Sequence, residues 1–182
     1  MYKRQAFNNS GFDILGGLQN LIPYQNNLLL NLTTAGLIIF GGLGFLVILD
    51  ILKKRSFRAL ALHSKVVIVM SAVLILLGTL LLKVTENVTW LGAFFQSVSA
   101  RTAGFSTYPI GSFTDAGLFV LILLMFVGAS PGSTGGGIKT TTLFALLQAT
   151  RSAATGRMPT AFRRTVAGEV VQKAFIVTLL SA

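Results

Sequence analysis

The sequence predicts an all-α membrane protein with about three complete crossings, and three observations predict it. Of 182 residues, 53% are hydrophobic and 11% charged, with a mean hydropathy of +0.75. A soluble domain carries roughly 25% charged residues, so this chain has too little charge to coat itself for water. Its basic residues are also segregated. Of fifteen Lys and Arg, five fall between Lys53 and Lys65 and five between Arg151 and Lys173; only Lys83, Arg101 and Lys139 lie between those clusters. Basic residues held in short loops between apolar runs follow the positive-inside pattern rather than a nucleic-acid patch. Both clusters are therefore expected to be cytoplasmic, with residues 83–115 on the outer side. The third observation is the apolar runs themselves.

At the N-terminus, Lys3 and Arg4 are followed by Phe7-Asn8-Asn9-Ser10-Gly11, not by the apolar run of a secretory signal. Residues 28–52 form the first spanning candidate, uncharged before Asp50 and long enough for the roughly 20 residues a crossing helix needs. Gly36, Gly41, Gly42 and Gly44 within it are read as close helix contacts, and Lys53-Lys54-Arg55 ends it on the inside. Residues 66–82 carry no charge and are flanked by Lys65 and Lys83, whose stems can reach the interfaces. They return the chain to the outside.

Residues 87–100, NVTWLGAFFQSVSA, are amphipathic and too short to cross. They read either as a helix lying on the outer surface, with Trp90 at the interface, or as a re-entrant helix that dips in and returns as extended chain. Irregular backbone at that depth is tolerated only where protein or water satisfies it. Residues 117–127 and 140–149 are apolar but too short to span. Between them Gly128-Ala129-Ser130-Pro131-Gly132-Ser133-Thr134-Gly135-Gly136-Gly137-Ile138-Lys139 excludes continuous helix, because glycine costs about 1 and proline about 3 kcal/mol against alanine. The economical solution is one crossing broken near mid-membrane by a loop that lines a cavity. A further apolar segment begins after Lys173. Both ends read as cut, so an incomplete polypeptide is expected.

Two segments resemble each other. Residues 6–12, AFNNSGF, align with residues 99–105, SARTAGF. Each lies outside, before a glycine-interrupted crossing toward the inside, and the second follows the short amphipathic helix. Helix, pore helix, extended loop, helix is the unit of which potassium-channel pores are built. Potassium sheds its water only where carbonyl oxygens replace it. Glycine lets backbone adopt the required angles and approach an ion closely. Asn9, Ser10, Gly11, Thr102, Ala103 and Gly104 are thus the candidate ion-binding residues. Phe12 and Phe105 are expected to pack behind the loops as struts. Gly132, Ser133, Thr134, Gly135, Gly136, Gly137 and Lys139 are the candidate gate, with Lys139 either an electrostatic element of it or a charge reaching the cytoplasmic vestibule.

Other chemistries fit poorly. Residues 132–140, GSTGGGIKT, approach the phosphate-binding G-x-x-x-x-G-K-[ST], but Ile138 separates the glycine from Lys139 and no strand precedes. The acids Asp13, Asp50, Glu86, Asp115 and Glu169 fall near ends or loops, without the intramembrane placement typical of proton relays. With no cysteine and a single histidine, His63, beside basic residues, thiolate and His-rich metal sites are excluded. His63 reads as a solvated or headgroup-facing side chain, and no enzyme activity is expected.

At FNNSGFDILGG from Phe7, LLLNLTTAGLIIFGGLGF from Leu28, SARTAGFST from Ser99, GASPGSTGGGIKTTT from Gly128 and RMPTAFRRT from Arg157, the chain resembles the membrane subunit of a bacterial potassium transporter of the Ktr/Trk/HKT type, Ktr above all. The resemblance implies four non-identical helix–pore-loop–helix repeats around one pore, each giving one filter segment. On that pattern residues 1–52 are the end of the second repeat, 53–65 a cytoplasmic loop, 66–150 the complete third repeat, 151–173 a second cytoplasmic loop and 174–182 the start of the fourth. It further implies Gly11 and Gly104 as filter glycines and residues 128–139 as an intramembrane gating loop. A homodimer of the full-length subunit in the plasma membrane, a cytosolic nucleotide-binding regulatory ring, and potassium with sodium as transported or coupling ion complete the expectation. No cofactor in this chain and no nucleic-acid partner are implied. Two other readings stand beside potassium uptake. One is a secondary transporter binding a small solute at the broken helix; the other is a membrane scaffold without a pathway.

Overall fold

A computed structural model describes residues 2–13, 19–156, 160–161, 164–165 and 168–181. Much of the basic segment 157–165 and the residues 14–18 lie outside the described residues. Helix α1 (Tyr2–Phe7) leads into the first Gly-Phe loop, and after a 3-10 turn at Ile22–Tyr24 come α2 (Leu28–Leu43) and α3 (Phe45–Lys54). The Asn27 side chain caps α2 by accepting from the Leu30 N–H at 3.1 Å, which satisfies one of the donors a helix start leaves open. Helices α4 (Leu62–Thr85), α5 (Trp90–Ala100), α6 (Asp115–Phe126), α7 (Thr140–Thr155) and α8 (Gly168–Ser181) complete the order. A two-residue antiparallel pair, β1 (Thr160–Ala161) with β2 (Arg164–Thr165), joins α7 to α8.

The continuous helix expected over residues 28–52 does not form. Helices α2 and α3 meet at 96°, and the corner is Gly44 at φ 86° and ψ 145°, a conformation that side chains close to other residues. The tertiary cause is visible in the same place. A β-carbon on Gly44 would sit 2.7 Å from the Pro131 carbonyl oxygen. The Phe45 N–H, left open by the break, donates to the Gly132 carbonyl at 3.2 Å. The glycine-rich loop therefore occupies the corner and supplies the acceptor that the new helix start needs. Among the described residues only α4, with 24 residues and a window hydropathy of 2.6, is by itself long and apolar enough to cross a membrane; the bent α2–α3 pair passes the same test together.

The glycines of α2 differ in use. Gly41 makes the expected close contact, because a β-carbon there would collide with the Phe7 carbonyl oxygen, whereas one on Gly36 would meet nothing. On α4, Gly78 admits the side chains of Ser97 from α5 and Leu124 from α6. The Ser97 hydroxyl donates to the Ile75 carbonyl at 2.9 Å. His63 is half-buried at the start of α4. Below it, Asp50 of α3 accepts from the Ala61 N–H and the Ser64 hydroxyl at 2.8 and 2.7 Å and pairs with Lys54, fixing α3 to the start of α4.

Helix α5 is sunk into the fold at one end. Trp90 at its start is 62% exposed, while Phe95, Gln96, Ser97, Val98 and Ser99 near its end are buried. A helix lying flat on a surface would instead alternate buried and exposed faces along its whole length. At the other side, Glu86 clamps α6. Its Oε1 accepts from the Thr114 N–H at 2.9 Å and the Thr114 hydroxyl at 2.6 Å, and Gly117 is bare enough to let the carboxylate lie against it. Bonds to a charged acceptor are worth about 1.5–3 kcal/mol. Glu86→Ala is therefore expected to lower the thermal unfolding midpoint of the full-length protein in detergent, with Glu86→Gln falling between; an unchanged midpoint would show that the clamp contributes nothing.

Candidate functional site

The two Gly-Phe loops, distant in sequence, meet. Helix α1 delivers residues 8–12 and α5 delivers residues 101–105. A β-carbon on Gly11 would clash with the Ala103 carbonyl oxygen and lie 2.7 Å from the Gly104 backbone, and one on Gly104 would lie 3.5 Å from Gly11 Cα. Both loops carry the same uncommon backbone pattern. Asn9 and Gly11 have φ of 50° and 61°, and the aligned Thr102 and Gly104 have φ of 70° and 80°. Left-handed residues at every second position are costly without glycine, and for threonine rare. The pattern recurs at aligned positions of the two loops. Ser10 and Ala103 are the residues between.

The support behind the two loops is unequal. Phe105 is 2% exposed and stacks obliquely on Tyr2, ring centroids 5.9 Å apart, within a cluster that includes Ala6, Leu21 and Phe95. The Ser99 hydroxyl donates to the Phe105 carbonyl, and the Asn20 amide donates to the Gly104 carbonyl at 3.3 Å. Phe105 is the strut its sequence suggested. Phe12 is not: it is 69% exposed, because α1, Leu21 and α5 build a wall behind the second loop only.

The glycine-rich segment between α6 and α7 packs directly against both loops. A β-carbon on Gly135 would stand 2.6 Å from the Thr102 hydroxyl and 3.1 Å from the Asn9 amide nitrogen. The Gly136 N–H donates to the Thr102 hydroxyl at 3.1 Å, and the Thr134 hydroxyl donates to the Phe7 carbonyl at 3.0 Å. From the other side α2 accepts the segment, with the Thr134 and Ser130 N–H groups donating to the Gly41 and Gly42 carbonyls at 3.3 and 3.1 Å. The segment also closes on itself. The Ala129 N–H donates to the Gly136 carbonyl at 3.1 Å, Lys139 Nζ donates to the Gly135 carbonyl at 2.7 Å, and the Ser133 hydroxyl donates to the Ser130 carbonyl. Gly132 and Gly137 turn the chain at φ 70°. Lys139 thus straps the loop.

Arg101 is a further residue of the site, outside the candidates that the glycine pattern marks. It is 8% exposed and its guanidinium donates to the Gly128 carbonyl at 3.1 Å. One signal could have found it: it is the only charged residue between Glu86 and Asp115. A cavity of about 20 Å³ lies beside it, lined also by Asn9, Ser71 and Ala129, room for one water molecule. Among the described residues no group of three or more His, Cys, Asp and Glu could hold a metal ion, so any cation held here would rely on backbone and amide or hydroxyl oxygens.

A mainly helical body in which two aligned Gly-Phe loops meet against a glycine-rich segment is the arrangement to set beside known proteins. A family model described as cation transport protein (TrkH) matches residues 5–181. The chain is 37% identical over 97% of its length to the Ktr system potassium uptake protein B of Vibrio alginolyticus. It is 38% identical over 96% to the potassium/sodium uptake protein NtpJ of Enterococcus hirae. It spans 42% of the length of each of these relatives. Its fold superposes on the crystal structure of the potassium transporter TrkH from Vibrio parahaemolyticus with a TM-score of 0.71 and 21% identity, covering 94% of this chain and 40% of that one. The chain belongs to the TrkH cation transport protein family, whose members are transporters and not enzymes.

Proposed function

We propose that this chain supplies two filter segments and the gate of a potassium-conducting pore in the plasma membrane, and that the full-length protein uses it for potassium uptake. The observation that carries the reading is the meeting of the two loops at Gly11 and Gly104, each with left-handed backbone at alternate residues. Alternating backbone handedness can turn consecutive carbonyls to one side, where they replace an ion's water. Asn9, Ser10, Gly11, Thr102, Ala103 and Gly104 then hold the ion, entering down the electrical gradient. Residues 132–137 with Lys139 close the path, since they lie against Asn9 and Thr102. Helices α2–α3 and α6–α7 serve as inner helices, broken at the loop. Basic loops 53–65 and 151–173 face the cytoplasm, where a nucleotide-binding ring and a second copy of the full-length subunit would act.

Reconstitution of the full-length protein tests this. Liposomes loaded with sodium and given external potassium should take up potassium electrogenically, at rates that rise with an inside-negative voltage. Saturable uptake of an organic solute with no ion current would favour the small-solute carrier instead, and absence of any flux would favour a scaffold.

A further inference from the structure

We infer that Arg101 is a positioning residue that ties the second Gly-Phe loop to the hinge of the glycine-rich segment. Its backbone is the C-cap of α5, so it opens the loop that ends at Gly104. Its guanidinium reaches the Gly128 carbonyl, just past the end of α6, at 3.1 Å. Helix C-termini carry partial negative charge; Arg101 stands at the end of α5, and its buried guanidinium bonds a carbonyl just past the end of α6. Among the described residues its guanidinium forms no ion pair and Nε has no partner, which leaves the Gly128 carbonyl as its acceptor. A guanidinium suits this position because its planar fork is rigid and more weakly hydrated than an ammonium.

The geometry of the segment makes this tie consequential. Gly128 has no room for a side chain, since a β-carbon there would collide with the Gly136 carbonyl oxygen, and Gly137 lies 2.9 Å from the Gly128 backbone on the same measure. The two ends of the segment are thus clasped, with Gly128 as the near arm and Gly136 and Gly137 as the far one. Arg101 holds the near arm and its neighbour Thr102, through the Gly136 N–H, holds the far one. Lifting the segment out of the path requires breaking both, so the loop at 101–105 senses the segment's position. The tie stands on these contacts; only its consequence for conduction rests on the gate reading above.

Labelling tests it. Ser130 is 0% exposed and its hydroxyl shares a 3.1 Å hydrogen bond with Thr140, so Ser130→Cys is near-isosteric and reacts only when the segment lifts. In the full-length protein, carrying this as its only thiol and reconstituted in liposomes, Arg101→Gln should raise the rate of maleimide labelling at least about tenfold, as loss of a bond from a charged donor implies. Arg101→Lys, which keeps the charge but not the fork, should fall between. A control thiol at Ser64→Cys in α4, 2% exposed, should not change. Unchanged labelling at position 130 in both variants overturns the tie, and so does an equal rise at 64 and 130, which marks general loosening. Faster labelling at 130 without a rise in resting potassium flux upholds the tie and counts against the gate.

Discussion

Gly11→Ala is expected to abolish selective potassium uptake by the full-length protein, and to do so more completely than Gly104→Ala. Both positions have positive φ, 61° and 80°, which costs a side-chain-bearing residue about 1–2 kcal/mol. Space separates them. A β-carbon on Gly11 meets the Ala103 carbonyl and the Gly104 backbone, while one on Gly104 meets only Gly11 Cα at 3.5 Å. Alanine at 11 must push the two loops apart; alanine at 104 need only strain its own residue. Valine at 104 adds a branched side chain with restricted rotamers and should match the loss seen at 11. Potassium and sodium fluxes measured on the three variants check this. A potassium-over-sodium preference unchanged in all three would sink the assignment of these loops to a filter.

Deletion of residues 135–137 is the second large effect. It removes the Gly136 N–H bond to Thr102, the Gly136 carbonyl bond to the Ala129 N–H and the Lys139 strap on Gly135. Only the first joins the segment to the second loop; at a net 0.5–1.5 kcal/mol its loss shifts the closed-to-open ratio about two- to tenfold, while the other two bonds hold the segment's own shape. On the proposed pore reading, resting potassium flux should rise by a factor in that range and lose its dependence on the proposed cytosolic regulator. Flux that stays at the parental level and still responds to the regulator would mean that the segment does not obstruct the path. The two predictions separate the parts: the first alters which ion passes, the second how often any ion passes.

Several elements were legible before any coordinates. Residues 66–82 sit inside α4, residues 117–127 and 140–149 mark α6 and α7, and the glycine-rich segment between them is irregular. Each follows from composition over a short window, where apolar runs specify helix and five glycines with a proline forbid it. The amphipathic stretch before Ser99 left two placements open, and burial of its C-terminal half favours the sunken one.

The misreadings share a cause. Gly44 looked like one more glycine in a spanning helix, yet it is the 96° corner because the Pro131–Gly132 backbone fills the space beside it. Phe12 and Phe105 occupy aligned positions, yet only Phe105 has a wall to pack on.

By itself, then, the sequence determined the helical membrane character, the two Gly-Phe loops and the break before α7, since charge, hydropathy and glycine content act on the backbone locally. The tertiary structure decided that the loops touch at Gly11 and Gly104, that the break lies against Asn9 and Thr102, and that α2 turns at Gly44. Glycine announces only that backbone is free to bend or be approached. Which neighbour takes the vacated space is a contact between distant segments, and no window along the chain contains both partners.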